Sequence, residues 1–215
     1  SCRGPLGWHG PSRGCGTVRR SLCGALSANV FDGTVQVSGL AMERPFGTAP
    51  TLSADIVLDD MNLQALTEVF GFGEITGALD GSIRQLRLVD WSAQSFNAEL
   101  HTDPAWKGRQ RISQRAVQDL SSVGGNAGGL GNSLQAQALK LFDDFGYRQI
   151  GISCRLAEEV CEMDGLSSGP NSFSIVQGSG LPRLSVIGFN RRVDWPTLVE
   201  RLVAVTEGDS TPIIE

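Results

Sequence analysis

The chain has 215 residues, 40% hydrophobic and 19% charged, a balance that excludes wholesale disorder and a coiled coil. A net charge of −5 argues against a general nucleic-acid binder. Glycine, with 27 residues, makes up about 13% of the chain against a usual ~7%, and it is scattered between short apolar runs, as turns and bulges between strands require.

Residues 1–24 differ from the rest of the chain. They hold six Gly, four Arg and three Cys, with no acid and no apolar period. They read as a flexible linker or tail, or as the product of out-of-frame translation of GC-rich DNA. A zinc knuckle from Cys2, His9, Cys15 and Cys23 is the third reading, but those spacings fit no common site. The expectation is an unstructured or non-native segment over residues 1–27, of which residues 1–24 are dispensable for stability.

From about residue 28 a period of two takes over. Phe31, Val35 and Val37 alternate with polar residues, and so do Leu52, Ala54, Ile56 and Leu58. A short helix follows, with Asp60 as its N-cap, Leu63, Leu66 and Phe70 on one face, and Gly71 or Gly73 as its stop. Residues 73–90 read as two strands about an Asp80-Gly81 turn, with Leu86 and Leu88 on one face. Phe96, Ala98 and Leu100 form another alternating strand. Residues 28–103 are therefore expected to form an antiparallel sheet with one small helix.

The middle of the chain reads as helical. Ile112, Ala116, Leu120 and Val123 share one helix face, Gly124-Gly125 ends that helix, and a glycine-rich hinge spans residues 126–131. Leu134, Ala138, Leu141 and Phe145 form a second helical face closed by Gly146. Strands then return: Ile150, Ile152, Cys154 and Leu156 share a face, followed by Cys161 with Met163, Phe173 with Ile175, and Leu184 with Val186, while Ile187 and Phe189 point the other way. Asp194 caps a final helix with Leu198, Val199, Leu202 and Val205 inward, and the tail after Thr206 frays. Residues 104–215 are thus expected to form an α+β cap of two helices, strands and a final helix. The fold class is α+β, dominated by an antiparallel sheet with a helical insertion and a C-terminal helix.

Few motifs support chemistry. Gly165, Ser167 and Gly169 match G-x-S-x-G, but a nucleophile elbow needs a helix after the turn and a later His; here a strand follows and both His precede. The glycine pairs at 129/131 and 178/180 lack the third glycine of a dinucleotide fingerprint. The glycines of residues 124–131 could cradle an anion at the following helix, but the loop has no Lys or Arg of its own. Asp143-Asp144 on a helix end, Glu158-Glu159 in a hairpin turn and Asp59-Asp60 at a helix start read as solvated or capping acids. No catalytic residue, cofactor site or metal site is expected, and the chain is not read as an enzyme. With Ala157-Glu158 at the centre of a hairpin turn, Cys154 faces Cys161 directly, within reach of a disulfide and hence consistent with an oxidising compartment.

Several blocks resemble the C-terminal part of the YdbH-like branch of AsmA-like proteins. They are residues 111–117 (RISQRAV), 120–125 (LSSVGG), 145–156 (FGYRQIGISCRL), 160–163 (VCEM), 175–176, 180–183 (GLPR), 186–189 (VIGF) and 193–195 (VDW). Upstream, residues 72–81 (FGEITGALDG) and 86–91 (LRLVDW) are similar as well. The resemblance covers about residues 28–205. It implies a long periplasmic protein of a Gram-negative bacterium, anchored in the inner membrane, whose extended apolar β-groove conducts phospholipid toward the outer membrane. The branch has also been labelled "dicarboxylate transport".

On that basis the chain, which starts at Ser1 and has no apolar run near the ~20 residues that span a bilayer, is expected to be a C-terminal fragment lacking the anchor. Its partners would be phospholipid and an outer-membrane or periplasmic protein. The candidate lipid-facing residues are the apolar members of the alternations: Val35, Val37, Leu52, Ile56, Leu58, Leu86, Leu88, Phe96 and Leu100. An envelope scaffold or adaptor, with these residues in a closed core, is the alternative. A dicarboxylate-transport accessory would need convergent cations, for which Arg183, Arg191 and Arg192 are the dense candidates.

Overall fold

A computed structural model of the protein describes residues 19–21, 24–123, 142–169, 171–181 and 183–206. The strands are β1 (Arg19–Ser21), β2 (Ala25–Val30), β3 (Gly33–Glu43), β4 (Thr51–Asn62), β5 (Ile75–Thr76), β6 (Ala78–Val89) and β7 (Ser92–Thr102). They continue with β8 (Arg111–Ser113), β9 (Asp144–Ala157), β10 (Val160–Gly165), β11 (Ser167–Ser168), β12 (Phe173–Gly178), β13 (Val186–Gly188) and β14 (Arg192–Asp194). The helices are α1 (Leu63–Val69), α2 (Gln114–Val123) and α3 (Trp195–Thr206). The fold is α+β and dominated by antiparallel sheet.

The main path of the sheet runs β1-β3-β4-β6-β7-β9-β10-β14, with β2 also on β3, and with β12 and β8 branching from β9. The sheet does not break near residue 103. β7 pairs with β9 from Phe96 opposite Leu156 to His101 opposite Gly151, so the expected cap continues the same sheet. The sheet also begins earlier than the alternation suggests. β1 and the first half of β2 fall within the segment expected to be unstructured, and Phe31 with Asp32, at φ 50° and 59°, forms the turn that joins β2 to β3. Residues 1–18 and 22–23, with Cys2, His9, Cys15 and Cys23, lie outside the described residues.

Two local expectations change for steric and capping reasons. Asp80-Gly81 is no turn: β6 runs straight through it, and the chain reverses at Asp90-Trp91, at φ 50° and 63°. Gly81 is needed for close approach, since a Cβ there would lie 2.6 Å from the Glu99 carbonyl oxygen. The cap of α1 is Asn62 rather than Asp60. Its side-chain oxygen accepts from the N–H groups of Gln64 (3.0 Å) and Ala65 (3.3 Å). Asp60 sits at φ 54° in a bulge of β4, where its N–H donates to Asp80 Oδ1.

The middle is less helical than its apolar spacing suggests. Ile112 belongs to β8, paired with Ile75 and Phe145, and α2 starts two residues later. Phe145 and Gly146 are in β9, and Asp144 opens that strand rather than ending a helix. Leu134, Ala138, Leu141 and the hinge of residues 126–131 lie outside the described residues. In α3, the Asp194 carboxylate accepts from the Thr197 N–H (3.0 Å) and hydroxyl (2.8 Å), as a cap should. Leu198 is buried, but Val199 and Leu202, expected inward, are exposed. The Val205 side chain and the tail lie outside the described residues.

One closed core forms at the C-terminal end. It gathers Leu63 of α1, Ile75, Ile112, Ala116 and Val117 of α2, Phe145, Tyr147, Cys161, Met163, Phe173, Ile175, Val176, Val193 and Leu198 of α3. Two buried polar groups there, Tyr147 and Thr102, are hydrogen-bonded. The Tyr147 hydroxyl donates to the Thr76 carbonyl at 2.7 Å, and burial pushes its pKa well up. Thr102 Oγ1 accepts from the Ile150 N–H at 2.9 Å.

Candidate functional site: an open apolar sheet face

Directly paired residues of an antiparallel sheet point to the same side, so the register shows which side chains share a face. Val35 pairs with Leu58, Leu58 with Gly81, Gly81 with Leu100, and Leu100 with Ile152. Val37 pairs with Ile56, Ile56 with Ile83, Ile83 with Ala98, and Ala98 with Cys154. Leu52 pairs with Met42 and Leu88, Ala54 with Leu86, and Phe96 with Leu156. The nine candidate residues therefore lie on one face that is apolar from β3 across to β9. Bulges keep the phase: Gln85, at φ 54°, absorbs one extra residue of β6, so that Ile83 and Leu86 share a face despite their odd spacing.

None of the nine belongs to the closed core. Eight are half-buried, and Phe96 alone is buried, with its ring 5.1 Å from Trp195 in an edge-to-face contact. Phe96 and Trp195 thus mark the border where α3 and the C-terminal strands begin to cover the face. Ile83, Met42 and Ala98 also lie on it. A strict period of two finds Ala98 but misses Ile83 and Met42, because the bulges of β3 and β6 hide their phase.

The opposite face is polar. Arg84, Asn97, Arg155, Glu162 and Arg192 form one cross-strand row over β6, β7, β9, β10 and β14. They line a cavity of about 680 Å³. Of the three cations named for a dicarboxylate site, Arg191 and Arg192 line this cavity and Arg183 does not. Arg183 is exposed outside this cavity, whereas Arg191 donates to the Gly169 carbonyl at 2.9 Å and lies 3.4 Å from Asp164. Hydrogen bonds from Ser168 and Gly165, with Arg191 beside it, hold the Asp164 carboxyl below its usual range.

That pairing also accounts for G-x-S-x-G. Ser168 donates to Asp164 at 2.7 Å, and the segment runs from β10 through β11 to β12, strand to strand. Glu158 and Glu159 form the hairpin turn, at φ 51° and 61°. The turn is one residue later than expected, which moves the register by two, so Cys154 faces Met163 and Cys161 faces Leu156. Both cysteines keep the same face, and the disulfide joins them diagonally with Cα atoms 5.6 Å apart. Asp144 is held below the usual carboxyl range by its hydrogen bonds from Arg111. Among the described residues no three His, Cys, Asp or Glu side chains converge on a metal position, and no helix is long and apolar enough to cross a membrane.

Comparison with protein-family models, curated proteins and solved structures finds no match for this chain.

Proposed function

We propose that the open apolar face carries the acyl chains of phospholipid, as a non-enzymatic periplasmic module of an AsmA-like, YdbH-like protein in transport between the inner and outer membranes. The observation behind this reading is the contrast on one continuous sheet: a closed core at the C-terminal end, and an apolar face outside that core over β3, β4, β6 and β7. Half-buried apolar rows of this extent suit an apolar ligand better than water, because transfer of apolar surface from water is favourable by roughly 25 cal/mol per Å². The disulfide fits an oxidising compartment such as the periplasm.

The test is a charge on the face. Leu86→Glu or Leu88→Glu, introduced into the membrane-anchored parent, should leave the protein folded and abolish phospholipid transport. If these variants fold and transport is sustained, the residues do not line the path and the reading is wrong. If they unfold, the face is core and the scaffold reading gains.

A further inference from the structure

The polar side of the sheet, opposite the apolar face, holds arginines that have no acidic partner among the described residues. Arg84 of β6, Asn97 of β7 and Arg155 of β9 are cross-strand neighbours in one row and line the cavity of about 680 Å³. One step along the strands, Arg87 pairs with Ser95 on the same side. The bulge at Gln85 puts both Arg84 and Arg87 there, with Ile83 and Leu86 on the other face. All three arginines are exposed, and the ion pairs among the described residues use Arg111, Arg115 and Arg191 instead. Acids border the trio without pairing with it. Asp55 accepts from the Gln85 N–H at 2.7 Å, Glu99 lies between Ser82 and Ser153, and Glu162 lies between Arg155 and Arg192. Surfaces usually intersperse the two signs. Here β7 places only Asn97 and Ser95 between cations on both of its neighbours.

We propose that Arg84, Arg87 and Arg155 bind the phosphoryl group of a phosphomonoester over Asn97. β6 and β9 flank β7 and stand about 10 Å apart, so their long guanidinium side chains can close on one small oxyanion from both sides. A phosphomonoester brings a charge of about −1.5 to −2 and three strong acceptor oxygens, one for each guanidinium. A carboxylate brings one charge and two oxygens, which a single arginine fork satisfies. The Asn97 amide is held by its bond to Gln85 Oε1 at 2.9 Å and keeps a second N–H for the ligand. The site is concave, which suits a small soluble molecule better than the flat surface of a bilayer. The inference does not depend on what the apolar face carries.

Titration of the full chain with inorganic phosphate, followed by NMR of backbone amides and arginine side chains, tests it. Signals of Ser95, Asn97 and Arg155 should shift and saturate, and Arg84→Gln or Arg155→Gln should each weaken binding about tenfold. Arg155→Lys should recover only part of that loss, because an ammonium lacks the planar fork. Arg109→Gln, which removes an exposed cation outside this cavity, should bind as the wild type does. All these side chains are exposed, so circular dichroism should show an unchanged sheet; should one variant lose it, the other decides. Succinate should bind more weakly than phosphate, and phosphatidylglycerol vesicles should not bind through these residues. The proposal is overturned if phosphate gives no saturable shift, or if Arg84→Gln and Arg155→Gln lose no more affinity than Arg109→Gln. It is equally overturned if succinate binds more tightly than phosphate, or if the vesicles bind through Arg84 and Arg155 while phosphate does not.

Discussion

Phe173, Ile175 and Val176 of β12 and Leu86 and Leu88 of β6 are apolar residues on strands of one sheet, yet the first three are 1% exposed and the other two only half-buried. The difference lies in what covers each strand. Side chains of α1, α2 and α3, with β8, β12, β13 and β14, enclose the C-terminal strands in one core. The long strands β3, β4, β6 and β7 contribute an apolar face that lies outside it. Period-two alternation therefore reports that a strand has an apolar side; the topology around it decides whether that side is closed.

The comparison can be broken with large-to-small substitutions. Phe173→Ala should cost about 3–5 kcal/mol, because a ring enclosed on all sides leaves a cavity. Leu88→Ala should cost about 1 kcal/mol or less, because little transfer energy is lost from a half-exposed site. Urea unfolding of both variants measures the gap, and equal costs would show that the β6 face is core. The disulfide sharpens the closed side. Replacing Cys154 and Cys161 should cost about 2 kcal/mol, since the bond closes a short loop of the unfolded chain.

At the junction between the regions, Asn62→Ala should cost about 1 kcal/mol in thermal unfolding by leaving two α1 donors uncapped. The smallest effect concerns pH. Asp119 of α2 is buried, and desolvation raises its pKa, partly offset by Arg115 at 3.7 Å. A carboxyl whose folded pKa lies above its unfolded value binds protons more readily in the folded state. Its charged form therefore costs stability as pH rises from the unfolded pKa through the folded one. Asp119→Asn should gain more melting temperature over the wild type at neutral than at strongly acidic pH. A constant difference across that range would contradict a buried, destabilised charge.

Much of the open face is legible in the sequence because its strands are regular: Val35 and Val37, Leu52 to Leu58, and Phe96 to Leu100 sit where strict alternation puts them. The misses have local causes. β2 alternates only Leu, Ala and Val against Ala, Ser and Asn, a contrast too weak to mark a strand. Gly81 resembles turn chemistry, but its lack of a Cβ serves close packing inside β6. Ile112 carries helical spacing with Ala116, although its backbone pairs with β5 and β9. The Cys154 and Cys161 pairing is reachable from either register, because a shift of two residues preserves the face. The half-exposure of the candidates is not legible, since cover depends on elements distant in sequence.

The most direct measurement of the open-face reading is a methyl NMR titration of the purified chain with a short-chain phospholipid. Methyl signals of Val35, Val37, Leu52, Ile56, Leu58 and Leu88 are expected to shift with lipid, while those of Ile112, Ile175, Val176 and Val193 stay in place. Shifts confined to the enclosed set, or no shift in the open-face methyls once lipid is saturating, would contradict a lipid-carrying face.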